Sequence, residues 1–137
     1  MQDYSNAKRA VIAVALLVSA CQSDKIDSGL IVDPDKNVSF SQHVLPILTT
    51  SCAGSGCHIG VTTNGVNLTN YAEILASIGV QYNAGVVIPE DAGGSPLIDK
   101  IEGQPRFGER MPLGRAPLTT REISLIIGWI DEGALDN

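Results

Sequence analysis

Apolar residues recur along this chain in two rhythms. Near the start they form a single block, Ala10 to Val18, preceded by Lys8 and Arg9 and followed by small Ser19 and Ala20 and then Cys21. That block is too short to cross a hydrocarbon core comfortably, which takes about 20 apolar residues. A positive flank, a short apolar core and a small-residue exit form an export signal, so residues 1–20 are expected to be removed rather than folded. From Gln22 to Asn37 no apolar period is sustained, and Asp24, Lys25, Asp27, Asp33, Asp35 and Lys36 surround Pro34. A charged segment of that kind extends, and residues 21–37 are read as an acidic, flexible tether.

The second rhythm begins at residue 38 and is helical. Ser39-Phe-Ser-Gln42 has the form of a capping box, and Phe40, Val44, Ile47 and Leu48 then fall on one face of a helix. Pro46 removes a backbone donor inside that pattern, so the helix is expected to kink there or to split into two turns. His43 falls on the opposite, solvated side. Asn70 is placed to cap a short helix with the stripe Tyr71, Ile74, Leu75 and Ile78, stopped by Gly79. Val86-Val87-Ile88-Pro89 is apolar but too short to classify. Ser95-Pro96 reads as an N-cap with proline at the first helical position, opening a helix through Leu97, Ile98 and Ile101 to Gly103. The clearest helix is the last: Thr119-Thr-Arg-Glu122 is a second capping box, Ile123, Ile126, Ile127 and Ile130 make the stripe, and Leu125 and Trp129 widen it before Gly133. Gly128 in mid-helix costs about 1 kcal/mol relative to alanine, which points to a close approach by another element. Phe40 is expected to meet Gly128 or Trp129.

Composition limits what these elements can build. With 137 residues, 44% apolar and 18% charged, there is room for one small domain plus appendages. Six aromatic residues supply a modest core, and Tyr4 lies in the segment expected to be lost. Domains this small commonly gain stability from a metal, a cross-link or a cofactor. The formal charge is −6, and without residues 1–20 seven basic side chains face fourteen acidic ones, giving −7. No basic patch with interleaved aromatics is present, so nucleic acid is excluded as a partner. An acidic module favours encounter with a positively charged protein surface.

Export decides the fate of the cysteines, because thiols outside the cytoplasm do not ordinarily stay free. Leu17-Val-Ser-Ala-Cys21 resembles a bacterial lipobox, which implies lipid on the Cys21 sulfur, cleavage before it, and stable membrane anchoring through several acyl chains. Gln22, rather than aspartate, after the lipid cysteine leans towards the outer membrane of a two-membrane cell envelope.

Cys52 and Cys57 stand in the run Cys-Ala-Gly-Ser-Gly-Cys-His58. Two thiols followed directly by an imidazole form the attachment signature of a c-type haem: thioethers from Cys52 and Cys57 fix the porphyrin edge, and His58 is placed to ligate iron. The usual spacing has two intervening residues and this one has four, and Gly54-Ser55-Gly56 is a backbone able to bulge. The alternative is a Cys52–Cys57 disulfide in a haem-free exported lipoprotein acting as a binding module. Zinc is weaker, since only His43 adds a good nitrogen ligand. Met111, the only methionine left after Met1 is removed, lies in the loop Arg106-Phe-Gly-Glu-Arg-Met-Pro-Leu-Gly114. A thioether held beside Pro112 suits a distal haem ligand, with His43 as the alternative. Arg106, Arg110 and Arg115 flank it as candidates for a haem propionate. No proline lies between His58 and Pro89, so the sequence names no carbonyl to orient the imidazole.

Taken together, Val44-Leu-Pro-Ile47, Cys-x₄-Cys-His58, Ser95-Pro-Leu97, Arg110-Met-Pro112 and Glu122-Ile with Trp129-Ile-Asp-Glu-Gly-Ala134 resemble the single-haem class I c-type cytochrome domain, especially the planctomycete-type module, over about residues 38–135. The resemblance implies an all-α fold of about four helices around one covalent haem c, with crossed N- and C-terminal helices and residues 38–137 as the haem domain. It implies Cys52 and Cys57 as attachment points, His58 as proximal and Met111 as distal ligand. The expected function is one-electron transfer between a redox donor and acceptor, a relay rather than an enzyme, lipid-anchored in the cell envelope.

Overall fold

The computed structural model describes residues 37–137. The expected export signal, the expected lipid site at Cys21 and the expected tether up to residue 36 lie outside the described residues.

Ser39 enters the first helix in an extended conformation, and its Oγ accepts from the Gln42 amide at 3.2 Å. The other half of the expected box is replaced: the Ser39 N–H donates to His43 Nδ1 at 2.9 Å. His43 is therefore a half-buried cap, not a solvated side chain. The chain then makes a π-helical turn, Phe40–Val44, before α1, Leu45–Ser51. Pro46 falls in the first turn of α1, where a missing N–H costs no intrahelical bond. The proline is accommodated by a change of winding just before it, and Phe40, Val44, Ile47 and Leu48 are buried as the period requires.

Asn70 Oδ1 accepts from the Glu73 amide at 3.1 Å and opens α2, Tyr71–Ala76. This helix stops earlier than its apolar stripe suggests. The Ser77 hydroxyl donates to the Glu73 carbonyl at 2.8 Å and accepts from the Asn67 amide at 2.9 Å, turning the chain into β1, Ile78–Gly79. β1 pairs antiparallel with β2, Ala84–Gly85, with Ile78 opposite Gly85. Ile78, expected on the buried stripe, is 54% exposed. The all-α expectation is thus overturned: four short α-helices share the described chain with a two-stranded sheet, and only 37% is helical. Strands this short carry no readable alternation, so the apolar pattern did not announce them.

Val86 and Val87 leave β2 buried, and the Val86 carbonyl accepts from Leu97 at 3.0 Å at the start of α3, Pro96–Glu102. Ser95 sits at the N-cap position but does not cap. Its buried hydroxyl accepts from the Ile88 amide and donates to the Asp91 carbonyl, both at 2.8 Å, which fastens the Val86–Pro89 run to α3. The last helix, α4, Thr120–Asp131, has both halves of its capping box.

The core forms where the first and last helices meet. Phe40 lies 5.2 Å from the Trp129 ring and 5.5 Å, edge-on, from Tyr71, so the expected contact with Trp129 is present. Val44, Ile74, Ile126 and Ile130 are fully buried around it, and Trp129 Nε1 donates to the Leu135 carbonyl at 2.8 Å. The two ends of the described segment are joined as well. Glu132 accepts from the Asn37 and Val38 amides, and the Asn137 main-chain oxygen accepts from the Ser41 amide and the Ser39 and Ser41 hydroxyls. Among the described residues no helix is long and apolar enough to cross a membrane.

Candidate functional site

Cys52 terminates α1, its N–H bonded to the Leu48 carbonyl at 2.8 Å. From there the chain loops out and returns: Cys57 N–H donates to Gly54 O, and His58 N–H donates to Cys52 O, each at 3.2 Å. The residues between the cysteines are therefore set aside as a closed bulge, made possible by Gly54 at φ 149° and Gly56 at φ 73°. A Cβ at Gly54 would come within 2.9 Å of Cys57 Sγ, so glycine is what lets that thiol fold back over the loop. Cys52 and Cys57 are separate thiols. Burial pushes the Cys52 thiol up to about 11, helped by the neighbouring Cys57 and opposed by Arg115. That arginine donates to the Thr50 carbonyl at the end of α1 at 3.2 Å.

An apolar cleft, open at its mouth, lies at this loop. Cys52 and His58 line it together with Leu68, Val86, Leu97 and Ile101. Met111, distant in sequence, lines it too. Its N–H donates to the Lys100 carbonyl at 2.8 Å, and Lys100 Nζ in turn gathers the Phe107 and Glu109 carbonyls. The Met111 loop is thereby folded back onto α3. Of the four expected haem-site residues, Cys52, His58 and Met111 converge on the cleft, while Cys57 is half-buried beside Gly54 and does not line it.

His58 Nδ1 lies 3.3 Å from the Val66 carbonyl, an acceptor that no side-chain pattern reveals because any residue can supply a carbonyl. His43 does not line the cleft; its Nδ1 is engaged by Ser39. Nor do the three flanking arginines. Arg106 pairs with Asp99 at 3.4 Å, and the cation lining the cleft is Lys100. Its position three residues after buried Leu97, on the same helix face, was the available signal. Tyr82 also lines the cleft and donates its hydroxyl to Asp99. Burial, then the bond to Asp99, pushes that phenol up to about 12. For Asp99, burial pulls the other way, but hydrogen bonds from Tyr82 and the Arg106 amide hold it below its ordinary value.

These donors suit a haem better than a bare metal ion. Among the described residues no three His, Cys, Asp or Glu side chains form a group that could hold a metal ion. A haem iron needs only two protein ligands, and the cleft has imidazole and thioether on its walls and apolar side chains for the ring. Compared with protein-family models, curated proteins and solved structures, the chain matches none of them.

Proposed function

We propose that residues 38–137 form a monohaem c-type electron-transfer domain, carried by an exported lipoprotein anchored through Cys21. The observation that carries this reading is the convergence of His58, Met111 and Cys52 on one apolar cleft, across more than fifty residues of chain. Cys52, on the cleft wall, and Cys57, outside its lining, would hold the haem by thioethers, and His58 and Met111 would ligate its iron. Bound there, the haem would supply one-electron chemistry.

The chain's own residues then do the rest. Leu68, Val86, Leu97 and Ile101 exclude water from the cleft. Val66 orients the imidazole through Nδ1. The Lys100 contacts hold the Met111 loop in place, and a soft neutral donor so held favours a relatively high potential. Electrons pass to and from protein partners without bonds being made to a substrate, so the domain acts as a relay and not as an enzyme.

Expression in the periplasm with active cytochrome maturation, followed by acid-acetone extraction, tests this. Retained haem with a weak far-red band in the oxidised form, lost in Met111→Ala, is the expected result. Protein that emerges without covalently bound haem would overturn it.

A further inference from the structure

We propose that Gly65 is a positioning residue: the tight turn Thr63–Val66, backed by the β1–β2 hairpin, holds the His58 imidazole with its proton on Nδ1 and its lone pair on Nε2. The inference rests on reading His58 as a ligand. A ligating imidazole must be neutral and must present a nitrogen without a proton, and which nitrogen that is depends on what the other one bonds. The Val66 carbonyl can only accept, so a hydrogen bond to Nδ1 requires the proton there.

The place of that carbonyl is set by the turn. Thr63 and Val66 exchange N–H···O bonds in both directions at 3.0 Å, and the two residues between them are left-handed, Asn64 at φ 52° and Gly65 at φ 80°. This is the mirror-image two-residue turn that Asn-Gly favours. The turn is held on two sides. Thr63 Oγ1 donates to the Cys57 and Gly56 carbonyls at 2.7 and 3.0 Å, tying it to the cysteine loop. The Val80 N–H donates to the Asn64 carbonyl at 3.1 Å, tying it to the hairpin.

Gly65 lies hard against that hairpin. A Cβ there would fall 2.0 Å from the Ile78 carbonyl oxygen and 3.3 Å from Val80 Cγ2. The nearer atom is backbone inside a strand pair and has nowhere to go, so any side chain must lift the turn away and take the Val66 carbonyl with it. Gly60 is the matched comparison, with nearly the same φ, 78°, and nothing within 4 Å of an added Cβ. Gly65→Ala and Gly60→Ala therefore carry the same conformational penalty, but only the first carries the collision.

The test is ¹⁵N NMR of the His58 ring in the haem-free, thiol-reduced protein at a pH where the imidazole is neutral, combined with titration by free haemin. The wild type and Gly60→Ala are expected to show Nδ1–H. Gly65→Ala is expected to move the proton to Nε2 and to weaken haemin binding by about 10–100-fold. An Nε2–H tautomer in the wild type overturns the proposal, as does a folded Gly65→Ala that keeps Nδ1–H. If Gly65→Ala does not fold, the wild type decides: an Nδ1–H proton protected from solvent exchange supports the clamp, and an unprotected one overturns it. If haemin binds none of the proteins while the tautomer shifts as expected, the positioning role stands and the cytochrome reading falls.

Discussion

A thiol held near pKa 11 is protonated, and so unreactive, at neutral pH. Cys52 is also 9% exposed, whereas Cys57 is half-buried. Iodoacetamide at pH 8 is therefore expected to label Cys57 well before Cys52 in the folded, haem-free chain; equal rates, read by peptide mass, would remove the basis for that order. The same burial has an energetic sign. Because the folded-state pKa of Cys52 is raised from 9.0 to about 11, the unfolded chain gives up its proton first, and stability present below pH 9 is lost as pH rises towards 11. A two-unit shift corresponds to about 2–3 kcal/mol. Tyr82, raised from 10.0 to about 12, adds a loss in the same direction above pH 10. Urea midpoints of the haem-free, thiol-reduced chain measured from pH 8 to pH 11 should fall, and Cys52→Ala should flatten the portion that starts near pH 9. At this scale the sequence was informative where a side chain lines the cleft, as at Cys52, His58 and Met111. It was silent where backbone does so, as at the Val66 carbonyl.

The helical elements differ in how far local sequence accounts for them. α4 was readable from end to end because its capping box, apolar period and terminal glycine all agree. Thr119→Ala removes the hydroxyl that accepts from Glu122 and should cost about 1 kcal/mol in chemical denaturation. A twelve-residue helix is marginal in isolation, so most of its stability comes from packing against the first helix and α3. Phe40→Ala, which empties the space between Trp129 and Tyr71, should cost about 3–5 kcal/mol. A change below 1 kcal/mol would mean that the two helices do not depend on that ring. The first helix was harder to read, since Pro46 predicts a disturbance but not its form, and a π turn is one of several solutions. The hairpin was unreadable: its strands are two residues each, its pattern is exposed–buried over a single step, and Ile78 imitates the end of a helical stripe.

On the scale of the whole molecule, stability depends on contacts between residues nearly a hundred positions apart. The Glu132 carboxylate accepts from two backbone amides at the start of the domain. Glu132→Ala leaves both to water or to nothing, and should lower stability by about 1–3 kcal/mol in urea denaturation. Deleting residues 135–137 should cost more than that. It removes the acceptor of the buried Trp129 N–H and the Asn137 partners of Phe40 and Ser41 together.

That junction also determines how the domain can be joined to other chains. Where Asn37 lies beside Glu132 and Ser39 beside Asn137, entry and exit share one small area of surface. A chain with that layout can be spliced as a cassette into an exposed loop of a host protein with short linkers and little strain on either. The same layout permits circular permutation of residues 37–137, with Asn37 and Asn137 linked and new ends opened in an exposed turn.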